Sequence, residues 1–200
     1  MADTRILDDR GFDILFREAR THNRWQEREV SDVLLRAMYD LLKFGPTSAN
    51  MCPARFAFVK SGEAKERLKP HLDAGNVEKT MAAPVTVIIA NDLKFYDQLP
   101  KLFPHAPGAR SWFSGNDPAV NREIAMRNGS LQGAYLIMAA RSLGLDCGPM
   151  SGFNSQGIKD AFFPDHDYQV NFICNIGYGD EEGLFPRSPR LEFDEACEIL

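Results

Sequence analysis

Apolar residues fall at helical spacing through residues 12–20, and the polar, turn-prone stretch at 21–24 predicts that a first helix ends there. Ser31 is a good cap for a second helix over residues 33–44, whose apolar positions repeat every three to four residues, and Gly45-Pro46 supplies its stop. Residues 55–60 alternate as a strand does, while the nearly continuous apolar runs at 84–90 and 170–176 predict strands buried on most faces. The longest helical pattern, residues 119–143, ends on Gly144, which can take the left-handed conformation that closes a helix. Its middle, Gly129-Ser130-Leu131-Gln132-Gly133-Ala134, is rich in small residues, which suits close packing against either the protein's own core or a second subunit.

The periodicity is lost between residues 93 and 117. That segment carries Pro100, Pro104 and Pro107, with Pro118 just beyond, and the aromatics Phe95, Tyr96, Phe103, Trp112 and Phe113. It reads as an inserted loop, either a lid whose aromatics cover a flat ligand or a satellite hydrophobic cluster under a long connection. No repeat or linker divides the chain, so residues 1–200 are expected to form one domain.

With 200 residues and 44% hydrophobic content the chain can bury a substantial core. The 23 Lys and Arg against 28 Asp and Glu give a formal net charge of -5, which offers no footprint for phosphate backbones or anionic membrane. Nucleic acid and membrane are therefore not expected as partners. No leader pattern or apolar run of roughly 20 residues is present, and a cytoplasmic location is expected. Cys52, Cys147, Cys174 and Cys197 are widely spaced and read as free thiols. His22, His71, His105 and His166 lack ligand spacing, so no metal site is expected.

The common phosphate-cradling loops GxGxxG and GxxxxGK[ST] are missing, and so is the GxSxG nucleophile elbow. What remains are polar clusters at the ends of elements: Arg20-Thr21-His22-Asn23, Pro46-Thr47-Ser48-Ala49-Asn50, Asn76 with Lys79, Pro149-Met150-Ser151-Gly152, and Arg187-Ser188-Pro189-Arg190. Singly, each has an ordinary reading as a helix-end cation, a turn or an exposed helical pair.

Together and in this order they resemble the FMN-dependent nitroreductase family, from about residue 12 to the C-terminus. The Arg-Ser-x-Arg-like element is matched at Arg20 to Asn23, with Trp25 in the aromatic position, and the Pro-Ser-x-x-Asn loop at Pro46 to Asn50. Asn-x-x-Lys is Asn76 to Lys79, the flavin loop is Pro149-Met150-Ser151-Gly152-Phe153, and the C-terminal basic pair is approximated by Arg187 and Arg190. Longer stretches, such as Leu102-Phe103-Pro104-His105 and Ala109-Arg110-Ser111-Trp112-Phe113, resemble the malonic semialdehyde reductase (3-hydroxypropionate dehydrogenase) subgroup of Rut-type pyrimidine degradation.

The resemblance implies an α+β fold with a central, mostly antiparallel sheet flanked by helices, in an intertwined homodimer that shares its FMN sites. It implies FMN as cofactor and NADPH or NADH as hydride donor. Arg20 and Arg190 would hold the phosphate, since guanidinium forks match phosphate oxygens. Thr21 and Asn23 would face the ribityl chain or pyrimidine edge, with Asn76 and Lys79 at the ring's polar edge. Lys79 would stabilise the charge on reduced flavin. The Met150-Ser151-Gly152 backbone would lie beside N5, and Pro46, Thr47, Ser48 and Asn50 would reach the partner's cofactor.

For malonic semialdehyde, Arg110 would receive the substrate carboxylate, and His22, His105, Ser151 or water would give the proton to the forming alkoxide. Three features depart from the family pattern: Cys52-Pro53-Ala54 replaces Gln-Pro-Trp, Ser188 stands where a basic residue is usual, and Asn23 replaces the cation near N1 and O2. The second shifts weight onto Arg187; the third favours a lower flavin potential. The alternatives are a broad nitroaromatic or quinone reductase, a flavin-sequestering or redox-sensing protein, and a plain structural domain.

Overall fold

One of the two inner strands of the sheet is apolar from Val85 to Ala90 apart from Thr86, and in the computed structural model, which describes residues 6–200, every residue from Val85 to Asn91 is buried. Four strands, β1 (Ala54–Val59), β2 (Val85–Asp92), β3 (Asp146–Met150) and β4 (Tyr168–Gly177), form one sheet in the order β1-β2-β4-β3. All three pairings are antiparallel, and a bulge falls between Ile89 and Ala90 in the β2–β4 ladder.

Five longer helices accompany the sheet: α1 (Asp32–Leu42), α2 (Gly62–Leu68), α3 (Ala74–Ala82), α4 (Pro118–Ser142) and α5 (Ser155–Phe162). Side chains alternate across β2, so each face can have its own core. Val85, Val87 and Ile89 pack with Met38 and Leu42 of α1 and Leu136 of α4. Ile88 and Ala90 pack with Leu68 of α2 and Ile158 of α5. Helices on both faces explain why the 84–90 and 170–176 runs are almost wholly apolar.

Ser31 caps α1 as expected, its hydroxyl accepting from the Leu34 amide at 3.3 Å. Gly144 follows α4 with a φ of 75°, as its position predicts. A Cβ at Gly129 would collide with the Asn91 side chain and one at Gly133 with the Phe172 ring. Those two glycines therefore serve the protein's own helix-to-sheet contact.

The segment after β2 holds the helical turns Phe95–Gln98, Leu99–Leu102 and Ser111–Ser114, which enclose a third cluster of Met51, Phe95, Leu99, Ala109 and Ala125. The satellite-cluster reading of this loop is realised.

The helix expected over residues 12–20 is shorter. A turn at Asp9–Phe12 runs into a π-helical turn at Asp13–Arg17. Beyond it the chain is drawn along β3, where Thr21 bridges Cys147 and the His22 amide donates to the Cys147 carbonyl at 3.0 Å. This tertiary pairing ends the helix before its apolar pattern does. Strand β3 is read less easily from sequence because Gly148 and Pro149 lie within it; proline is tolerated because β3 is an edge strand. Among the described residues, no helix is long and apolar enough to cross a membrane.

Candidate functional site

The site begins where the N-terminal segment runs beside β3. Gly148 is needed there, because a Cβ would come to 2.5 Å of the His22 carbonyl oxygen. His22 is buried, its Nε2 3.4 Å from Asp146 Oδ1, and Asp146 Oδ2 accepts from the Gly179 amide at 2.8 Å. Gly179 lies so close beneath the imidazole that any side chain would strike the ring. Trp25 bridges Gly179 and points its indole at α3, donating from Nε1 to the Lys79 carbonyl at 3.2 Å.

At the other end of α3, the Asp73 amide donates to the Gly152 carbonyl at 3.1 Å and Asn76 Nδ2 donates to the same oxygen at 2.8 Å. Gly152 has no room for a Cβ, which would sit 2.5 Å from Asn76 Nδ2. The Asn-x-x-Lys pair and the Pro-x-x-Gly loop, 73 residues apart between Asn76 and Pro149 in sequence, are thus one constellation. Asn76 and Lys79 share a helix face one turn apart.

Between this helix and the N-terminal segment lies an open cleft of about 650 Å³, lined by Asn23, Trp25, Lys79, Asp180, Gly183 and Phe185 among others. The C-terminal segment closes one side. Arg20 donates to the Phe185 carbonyl, and Arg187 Nη2 donates to the Ala19 carbonyl at 3.2 Å. Arg190 instead bonds its own turn, at Ser188 O (2.9 Å) and Pro189 O (3.0 Å). Arg20 and Arg187 are brought together; Arg190 remains exposed nearby in sequence.

Of the remaining sequence-predicted residues, Thr47, Ser48, Asn50 and Arg110 do not line this cleft. Thr47, Ser48 and Asn50 sit on the α4 side, where Ser48's amide donates to Asn128 Oδ1 and Asn50 Nδ2 donates to the Leu102 carbonyl, each at 2.8 Å. The loop bends through positive φ at Ala49 (48°), Asn50 (48°) and Cys52 (40°). Such backbone is costly for residues with side chains and persists where surroundings hold it. Here Asn128, the Leu102 carbonyl and Gln132, whose Oε1 accepts from the Ala54 amide at 2.8 Å, do so. Arg110 is exposed and held by Asp97, with Nε and Nη2 each 2.8 Å from Oδ1. Ser151 is exposed beside Gly152, whereas His22 is enclosed.

A further set of buried polar residues escaped the sequence reading: Lys65, Thr80, Thr86 and Asn175. Thr86 and Asn175 leave a trace, since each interrupts an otherwise apolar strand. Lys65 leaves little, because a lysine on a short charged helix reads as solvated. Burial pushes the Lys65 ammonium down to a pKa of about 8. Cys174 is raised well above the ordinary thiol value by its contact with the Cys147 thiol and by burial. All four cysteines are free thiols, and among the described residues no cluster of potential ligands could hold a metal ion.

Comparison with known proteins agrees with this architecture. The model of the nitroreductase family matches residues 17–178. An inferred NADH dehydrogenase/NAD(P)H nitroreductase of Burkholderia lata is 61% identical over 193 residues, covering 96% of this chain and 98% of the relative. Another of the same name, from Ralstonia nicotianae, is 57% identical over 194 residues, covering 97% and 98%. Among solved structures, an inferred nitroreductase of Bacillus subtilis superposes with a TM-score of 0.88 at 22% identity, covering 96% of this chain and 100% of that one. One from Exiguobacterium sibiricum, solved in complex with FMN, gives 0.86 at 20% identity and 98% coverage of both.

Proposed function

The chain belongs to the nitroreductase family, and we propose that it is an FMN-dependent NAD(P)H oxidoreductase that works as a homodimer and reduces malonic semialdehyde to 3-hydroxypropanoate. The carrying observation is the cleft between Asn23, Trp25 and Lys79, whose volume of about 650 Å³ suits a small cofactor. Among the described residues no carboxylate pairs with Lys79, so its ammonium is available to a ligand with acceptor oxygens and developing negative charge. This donor set fits a flavin's polar edge. The names of the relatives support the nicotinamide donor, and the FMN complex of the Exiguobacterium protein supports the cofactor.

When bound, FMN supplies hydride relay between the nicotinamide and the oxidant. The chain's own residues bind and orient. Lys79 and Asn76 hold the pyrimidine edge, Thr21 and Asn23 the ribityl side, and the Pro149 to Gly152 segment offers backbone amides near the reacting face. Arg20 and Arg187 each carry five N–H donors and use only part of them on carbonyls, leaving the rest for phosphate, with Arg190 as the third cation. Of the candidate proton donors, Ser151 is exposed at the flavin loop; His22 is enclosed by Gly179 and Asp146.

The dimer reading draws on exposed apolar side chains. Leu41 and Phe44 at the end of α1 and Leu131 and Tyr135 on α4 are 47%, 77%, 46% and 42% exposed. Apolar side chains left exposed on two helices that pack together mark a candidate association face. A partner docked there would bring Pro46, Thr47, Ser48 and Asn50 to the other subunit's cofactor, the role that the loop's distance from its own cleft leaves open.

The test is an anaerobic visible spectrum of the purified protein with NADPH and then malonic semialdehyde added in turn. Bleaching of a flavin band followed by its return supports the whole scheme. A band that stays bleached removes the aldehyde, and no flavin band after added FMN removes the cofactor reading. The names of the relatives favour a second reading, a broad nitroaromatic or quinone reductase, which a higher kcat/KM on a quinone than on the aldehyde would establish. Bound flavin that NADPH and NADH both fail to reduce would point instead to flavin sequestration.

A further inference from the structure

Lys65 is 4% exposed, and its ammonium donates to two neutral acceptors, the Thr80 carbonyl and Thr86 Oγ1, both at 2.7 Å. Among the described residues no carboxylate pairs with it. A buried cation without a counter-ion is expensive, so its surroundings call for a reason. The hydrogen bonds continue in one direction. Thr86 Oγ1 donates to Asn175 Oδ1 at 2.7 Å, and Asn175 Nδ2 donates to the Lys79 carbonyl at 3.1 Å and to Thr80 Oγ1 at 3.3 Å. Thr80 Oγ1 in turn donates to Met150 Sδ at 3.5 Å. The indole of Trp25 adds a second donor to the Lys79 carbonyl. A single polar network thus starts at Lys65 on α2, crosses β2 and β4, and ends on both Lys79 of α3 and Met150 of β3.

We propose that Lys65 is a positioning residue of the flavin site: through Thr86 and Asn175 it holds the Lys79 backbone and the Met150 side chain in a fixed relation, setting the two edges between which the cofactor lies. This rests on the reading that Lys79 and Met150 face FMN. The lowered pKa of Lys65 agrees with the geometry, since a neutral amine has two N–H groups for two acceptors and the ammonium's third finds none. Satisfied buried networks hold their members in one arrangement. The plainer role is that of a donor to the last turn of α3, which stabilises the helix and nothing more.

The measurements that separate these roles are the FMN dissociation constant, by fluorescence quenching, and the midpoint potential of the bound flavin, each beside the Tm of the apoprotein. Lys65→Met and Thr86→Val should each weaken FMN binding by about tenfold and shift the potential, while Lys69→Met, at an exposed position after α2, should change neither. Thr86→Val removes the hydroxyl at nearly constant shape and carries the test if Lys65→Met does not fold. A lower Tm with wild-type affinity and potential in Thr86→Val overturns the proposal and leaves helix stabilisation. Lys79→Ala separates the premise: if it too leaves affinity and potential unchanged, the placement of flavin against Lys79 fails and the proposal with it. If Lys79→Ala shifts both and Thr86→Val shifts neither, the proposal alone fails.

Discussion

Arg20 and Arg187 hold each other's backbone: Arg20 donates to the carbonyl of Phe185, two residues before Arg187, and Arg187 donates to the carbonyl of Ala19, one residue before Arg20. The clasp fastens the C-terminal segment to the start of the site, and among the described residues no carboxylate pairs with either guanidinium.

If the pair also binds phosphate, Arg187→Ala removes a charge-assisted hydrogen bond from the ligand and loosens the clasp. Such bonds contribute about 1.5–3 kcal/mol, so FMN affinity should fall by about 10- to 100-fold. Equilibrium titration of the apoprotein with FMN measures it. Unchanged affinity in both Arg20→Ala and Arg187→Ala would remove the phosphate role.

Lys65 predicts a dependence of stability on pH. Its pKa is about 8 in the folded protein against an ordinary 10.5, so between these values the unfolded chain binds the extra proton. Stability therefore rises with pH through the window from about 8 to 10.5, by at most about 3 kcal/mol from this group. Urea denaturation of wild type and Lys65→Met should show the difference in unfolding free energy moving towards wild type as pH rises through that window. A difference that stays flat would mean the ammonium is solvated.

On the proposed association face, Leu131→Asp places a charge where a partner's apolar surface would lie. The variant should elute as a monomer in light-scattering chromatography and retain little FMN, with its apoprotein Tm within a few degrees of wild type. A dimer that keeps its flavin would move the interface elsewhere.

Asp97 and Arg110 make opposite predictions for the aldehyde. Arg110 lies outside its own subunit's cleft, so it would receive the substrate carboxylate only at the partner's site, and Asp97 occupies its guanidinium. Asp97→Asn should then lower KM for malonic semialdehyde and Arg110→Ala should raise it by about tenfold, each with little change towards a neutral quinone. Steady-state kinetics with both oxidants decides. An Arg110→Ala enzyme with wild-type KM would assign the carboxylate to another group.

Much of this architecture is written in local pattern. Helices α1 and α4, strands β1, β2 and β4 and the satellite cluster at 93–117 follow from apolar spacing, a capping Ser31, a closing Gly144 and runs of buried β-branched residues, because each of these signals acts within a few residues of itself. The identities of Arg20, Asn23, Asn76, Lys79 and the Pro149 to Gly152 loop as a set came from their resemblance, in order along the chain, to the motifs of the nitroreductase family.

Only the tertiary structure decided how they meet. The Gly152 carbonyl accepts from Asn76 across 76 residues, the first helix ends early because β3 captures Thr21 and His22, and β3 itself forms at a sheet edge despite Pro149. Lys65 shows the limit most clearly. Its sequence neighbours are those of a solvated surface lysine, and its burial arises from the packing of α2 against residues near 80 and 86. Desolvation and hydrogen bonding are properties of surroundings assembled from distant segments, so no stretch of local sequence contains them.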